Sequence, residues 1–262
     1  MKINYSIKVS LTLLIVFSCT SDKTPINNKY KKRNPMTDYF LMEGNKYLKK
    51  HDFKKALALA DSAELYAIKK DDVYFFKGRI YSELGRFAKA DEAYNNTINI
   101  NPDYIGAWNN LGNNAFRQQN FSQAVKFYNK EIIINKTSIP FRALGRAYVE
   151  LGKTDSARIC FQHSIDVNNN YASAYLNLAQ LEEDEGNLNK ALNLASRAYA
   201  LEPNNIEYQY VYSTILVQMD RGKEAIYSLR EIIKEWPWHH GAHYNLARAL
   251  IQSGQKIKDS NI

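Results

Sequence analysis

Long hydrophobic runs are missing from this 262-residue sequence. The apolar stretch Val9–Phe17 is about half the roughly 20 residues that a helix needs to cross a bilayer. Cysteine is scarce too: only Cys19 and Cys160 occur, so a structural disulfide is excluded if Cys19 is used otherwise. The formal charge is +8, but it is spread along the chain and forms no basic stripe, which argues against a nucleic-acid partner. No Ser/His/Asp set or paired-carboxylate site can be assigned from spacing, and Cys160, beside Phe161, has no His to activate it. It reads as a small buried apolar residue. Gly152-Lys153-Thr154 resembles the end of a phosphate loop, yet Ala147 stands where that motif needs Gly, and no strand precedes it. These absences leave no expected catalytic residue, small-molecule substrate, cofactor or metal.

What is present is a period. Asp71–Asp103 holds two amphipathic segments of about a dozen residues, divided at Gly85 and stopped at Pro102. Tyr74, Gly78 and Tyr81, then Phe87, Ala90 and Tyr94, fall at helical spacing. Units of the same kind begin at Thr37, Asp71, Ile105, Ser138, Ala172, Ile206 and His240; five steps are 34 residues and one is 33. The eighth place reads Gly44, Gly78, Gly112, Gly145, Ala179, Ser213 and Ala247. The twentieth reads Ala56, Ala90, Ala124, Ala157, Ala191 and Ala225. Small residues in phase predict antiparallel helix pairs whose backbones approach with no large side chain between them. Phe40, Tyr74, Trp108, Phe141 and Tyr175, at the fourth place, are expected to fill the groove between units.

This pattern resembles the tetratricopeptide repeat, with Trp108, Leu111, Gly112 and Ala124 matching its marks in the third unit and Pro102, Pro203 and Pro237 closing others. Ile68, Lys136 and Asn169 depart from the terminal Pro, and Gln209 and His243 from the bulky fourth residue. The resemblance implies an all-α, right-handed superhelix (an α-solenoid): six helix pairs and a closing helix over 37–254, with a polar tail at 255–262. In such a stack each unit buries its apolar face only against its neighbours.

The N-terminus reads differently. Lys2 and Lys8, the apolar run and Ser18 precede Cys19, as in a secretory signal. Val16-Phe17-Ser18-Cys19 resembles the bacterial lipoprotein signal. That resemblance implies removal of 1–18, lipid on Cys19, and residence in the outer membrane facing the periplasm, since Thr20 rather than Asp follows. A plain signal peptide, a short uncleaved anchor or a cytoplasmic adaptor are the alternatives. Residues 20–36 lack apolar periodicity and are expected to form a disordered linker with a reach of roughly 20–25 Å.

By the same family resemblance, the fifth and ninth places of each first helix line a concave face. The candidate groove residues are Arg79, Asn109, Asn113, Arg142, Arg146, Gln180 and Tyr210, with exposed aromatic or apolar residues toward the ends. Arg and Asn suit backbone carbonyls and carboxylates of a protein or peptide partner. The pairs Phe75/Arg79, Asn109/Asn113 and Arg142/Arg146 do not reproduce the Lys/Asn clamp on a terminal carboxylate. The expected function is a lipid-tethered scaffold for partner proteins. A metal-binding or regulatory subunit of an envelope enzyme is the alternative, through His239 and His243 or the acidic run Glu182–Glu185. Trp236-Pro237-Trp238 is expected to pack across an interunit joint.

Overall fold

The computed structural model describes residues 34–254. Cys19, the signal segment 1–18, most of the expected linker and the tail 255–262 lie outside the described residues. Thirteen helices and no strand occur among those described: α1 (Pro35–Lys49), α2 (Phe53–Tyr66), α3 (Asp71–Glu83), α4 (Phe87–Ile100), α5 (Ala107–Arg117), α6 (Phe121–Ile134), α7 (Ser138–Glu150), α8 (Thr154–Val167), α9 (Ala172–Asp184), α10 (Leu188–Leu201), α11 (Ile206–Gln218), α12 (Gly222–Glu235) and α13 (His240–Gln252). None of them is long and apolar enough to cross a membrane. The first helix starts ahead of the sequence boundary at Thr37. Pro35 tolerates the first turn because its missing N–H would be unpaired there anyway, and the Asn34 side chain accepts from the Met36 N–H at 2.9 Å. Pro35 and Met36, expected in the linker, are therefore helical.

Each unit is an antiparallel pair. First helices of adjacent units touch one another, whereas second helices touch only first helices. The stack therefore bends with its first helices on the inner side, giving an all-α superhelix whose hollow is lined by α1, α3, α5, α7, α9, α11 and α13. The turn inside each pair places one residue in the left-handed region: Gly85, Gly152 and Gly186 at φ +69°, +68° and +79°, but also His51, Gln119 and Asp220 at +57°, +61° and +59°. Glycine takes that conformation without a Cβ clash, which explains three of the six; the other three pay for it in strain.

The twentieth-place alanines, Ala56, Ala90, Ala124, Ala157, Ala191 and Ala225, are fully buried. The eighth place works otherwise than expected. Large rings lie over the glycines rather than bare backbone: a Cβ on Gly78 would sit 2.5 Å from Tyr94 Cε1, and one on Gly145 2.5 Å from Phe161 Cε1; Gly112 is covered the same way by Tyr128. Tyr94, Tyr128 and Phe161 share the twenty-fourth place and are at most 2% exposed. In the fifth unit the same two places hold Ala179 and Ala195, both fully buried. The small residue is thus a seat for a ring in the second, third and fourth units, and in the first unit the ring over Gly44 comes from Phe76 of the next unit.

Candidate binding groove

Five of the seven candidate residues line two adjoining cavities on the inner face. The larger, about 800 Å³, is walled by α5 and α7 and includes Asn109, Asn113, Arg142 and Arg146, with Arg117 beside them and Glu83 and Glu150 at its rim. The smaller, about 380 Å³, continues past Arg146 and Glu150 to Asn177, Gln180 and Glu183. Both are open concavities of the kind that admit an extended chain rather than an enclosed reaction chamber.

Their chemistry follows from what each side chain already holds. The Tyr128 hydroxyl donates to Asn113 Oδ1 at 2.9 Å, which leaves the Asn113 N–H donors to the cavity. Burial pushes the Tyr128 phenol above its ordinary range, so it stays protonated and donating. Arg142 is committed: its Nε donates to the Tyr171 hydroxyl at 2.8 Å, and its guanidinium lies 5.6 Å from that ring. Arg146 is stacked 4.9 Å over Phe116, which fixes its plane while leaving its edge donors to a ligand. Arg117 is tied to the Ser82 carbonyl at 2.7 Å. Burial holds the Glu183 carboxyl above its usual range, although the Gln218 amide donates to it at 2.6 Å.

Two candidates lie elsewhere. Arg79 donates across units to Asn45 Oδ1 at 2.9 Å, and Tyr210 packs 4.5 Å from the His239 ring at the far end of the stack. The expected apolar anchors at the fifth place are also corrected. Phe75 packs against Tyr94 and Tyr104 at 5.8 and 4.8 Å, Leu176 is buried, and Tyr244 stays exposed. Leu176 shares a core cluster with Tyr208 and Val211 of the following unit, whose helices a single-unit count does not see.

Sequence reasoning missed Glu131. This carboxylate on α6 is 1% exposed and accepts from the backbone N–H of Gly106 at 2.8 Å and of Asn109 at 3.2 Å. The available signal was an acid at the twenty-seventh place, where Ala63, Thr97, Ser164 and Ala198 stand in other units.

The remaining motifs resolve structurally. Glu182 is neither solvated nor free. Burial opposes its charge, but Lys190, Arg158 and Asn187 donate to it at 2.8, 2.9 and 2.9 Å and hold its carboxyl below the usual range; Arg158 also pairs with Glu185. His239 Nδ1 accepts from the Ala242 N–H at 3.1 Å, capping α13, and His243 Nε2 meets the Pro237 carbonyl at 2.8 Å. Among the described residues no group of three or more His, Cys, Asp or Glu is placed to hold a metal ion. Trp236 and Trp238, expected inside a joint, are 59% and 85% exposed. Gly152 is a turn residue, and Cys160 is buried, its thiol pushed up to about 11 by that burial.

Comparison with known proteins bears on the repeats. A family model described as TPR repeat matches residues 78–119, one described as Tetratricopeptide repeat matches 142–206, and one described as Anaphase-promoting complex, cyclosome, subunit 3 matches 184–260. Tetratricopeptide repeat protein 8 of Homo sapiens is 39% identical over 72 residues, which is 28% of this chain and 13% of that protein. The chain therefore spans only a small part of the length of the curated relatives it matches. Among solved structures, pilF of Pseudomonas aeruginosa superposes with a TM-score of 0.71 at 17% identity, covering 83% of this chain and 99% of that one. PilW, described as a widely conserved type IV pilus biogenesis factor, superposes at 0.70 with 16% identity, covering 81% and 99%. Periodic small residues, paired helices and matches of both kinds agree: this chain carries tetratricopeptide repeats, stacked as an all-α superhelix.

Proposed function

We propose that this protein is a non-catalytic scaffold that binds an extended segment of a partner protein in the hollow between α5 and α9. The observation that carries the reading is the convergence of Asn109, Asn113, Arg142, Arg146 and Gln180 on two adjoining open cavities. Asn113 presents donors suited to main-chain carbonyls, and Arg146 presents a guanidinium edge suited to a carboxylate. Polar and apolar lining in comparable measure fits a reversible peptide site better than a buried permanent joint.

We further propose that Cys19 carries lipid and tethers the scaffold to the bacterial envelope, with the segment before α1 as a spacer. The signal-like pattern at residues 1–19 supports this, as does the similarity in fold to pilF and to the pilus biogenesis factor PilW. Several acyl chains hold a protein on a membrane stably where one does not.

Crosslinked pull-down from membranes tests the groove: Asn113→Ala and Arg146→Ala together are expected to remove partners that the wild type captures. An unchanged set of partners would refute the assignment. Mass spectrometry of the mature N-terminus tests the tether, and an unmodified Met1 would exclude it.

A further inference from the structure

The third unit departs from the repeat at one joint. Six residues, 101–106, connect α4 to α5, whereas three or four connect the other units. Helix α5 is 11 residues long where the other first helices have at least 13, and Gly106 ahead of it sits at φ +90°. That helix thus starts two residues late, and the Glu131 carboxylate meets the backbone N–H groups at its start. It accepts from the Gly106 and Asn109 backbone N–H groups, and Asn135 Nδ2 donates to it at 3.4 Å. A carboxylate this deeply buried is retained only where donors surround it. At the equivalent place in neighbouring units, the Thr97 and Ser164 hydroxyls bond the carbonyls of Asp71 and Ser138 at the start of an intact helix.

The consequence falls on Asn109. Its backbone is fixed by Glu131, its side chain lines the larger cavity, and its Oδ1 is buried with no hydrogen-bond partner. A buried carbonyl oxygen without a donor is disfavoured, and turning the Asn109 amide toward the cavity, where a ligand N–H can meet Oδ1, removes the disadvantage. One turn along the same helix, Asn113 offers donors. An acceptor followed by a donor is the complement of an extended main chain, which offers an N–H and then a C=O.

We propose that Glu131 is a positioning residue that holds Asn109 so that its Oδ1 reads one main-chain N–H of an extended peptide lying in the groove. The proposal rests on the reading of the groove as a peptide site and adds the chemistry of one contact. It makes the third unit, through its altered joint, the place where the bound chain is registered.

A random 12-residue peptide display library panned on the full-length protein supplies the probe. The best-enriched peptide is then synthesised with each peptide nitrogen methylated in turn. One methylation is expected to weaken binding to the wild type about tenfold or more. Asn109→Ala should bind the unmodified peptide about tenfold more weakly, lose that discrimination, and melt no lower than the wild type, because it removes an unpaired acceptor. A purely structural role would lower the melting temperature and leave discrimination intact. Glu131→Gln, if folded by circular dichroism, should also blunt the discrimination. A flat methylation scan on the wild type, or discrimination retained by Asn109→Ala, overturns this inference while leaving the groove in place. Failure to enrich any peptide over a protein carrying Asn113→Ala and Arg146→Ala overturns the groove reading and this inference with it.

Discussion

Gly145→Ala tests whether the eighth place is a seat for a ring. A Cβ built there lies 2.5 Å from Phe161 Cε1 and 2.6 Å from Cδ1, so the ring would have to retreat by roughly 0.9 Å to reach an ordinary 3.4 Å contact. It has little room, since Phe161 is 1% exposed and shares a core cluster with Ala157, Ile165, Ala174, Leu178 and Leu181, the last three on α9 of the next unit. Overpacking of this kind costs about 1–3 kcal/mol. Replacing a mid-helix glycine by alanine returns about 1 kcal/mol. The net loss is therefore up to about 2 kcal/mol, a fall of several degrees in melting temperature. Phe161→Leu alone should cost about 1–2 kcal/mol through lost burial and a residual cavity. The double variant should be more stable than the two losses predict, by about 1 kcal/mol or more, because the smaller side chain makes room for the new methyl. Thermal and urea unfolding of the four proteins by circular dichroism measures the cycle. A coupling near zero, or a Gly145→Ala protein stabilised by the full helix-propensity gain, would refute the ring-seat account.

Gly152→Ala makes the same chemical change seven residues later for a different reason. Nothing lies within 4 Å of a Cβ there, but φ is +68°. A loss on the order of 1 kcal/mol is expected from backbone strain alone, and no substitution of a neighbouring side chain should rescue it. Glu64 of α2 is held at about 2 by Lys77 on α3 of the next unit and by Lys70 in the connection before it, which donate to it at 2.6 and 2.9 Å. Its folded value is below its unfolded one, so this contribution is complete above about pH 4.5 and is lost as pH falls toward 2. Glu64→Gln should flatten the dependence of melting temperature on pH between 5 and 2; an unaltered slope would show that the pair does not brace the first joint. In a Cys19→Ser background, Cys160 should react with a maleimide only after denaturation, because burial keeps its thiol protonated and covered. Rapid labelling of the native protein would contradict the packing of α8.

The spacing of small residues determined the helix pairs, their register and the number of units. That information is one-dimensional: a residue that must be small recurs every 34 positions whatever its neighbours are, and the fully buried twentieth-place alanines follow from it. The turn positions were legible where glycine marks them, as at Gly85, and invisible where Gln119 or Asp220 bears the strain instead. The candidate groove was half legible. Its fifth and ninth places were readable, but which of them are spent is decided by residues 29 to 34 positions away. Arg79 is used by Asn45 34 positions away, Arg142 by Tyr171 29 positions away, and Phe75 by the ring of Tyr104. Trp236 and Trp238 show the converse: apolar residues at a joint need not be inside it. Glu131 is the clearest case of what only the tertiary structure decided. A buried carboxylate needs donors around it, and its donors are backbone N–H groups at the start of α5, where a helix leaves its first N–H groups unpaired.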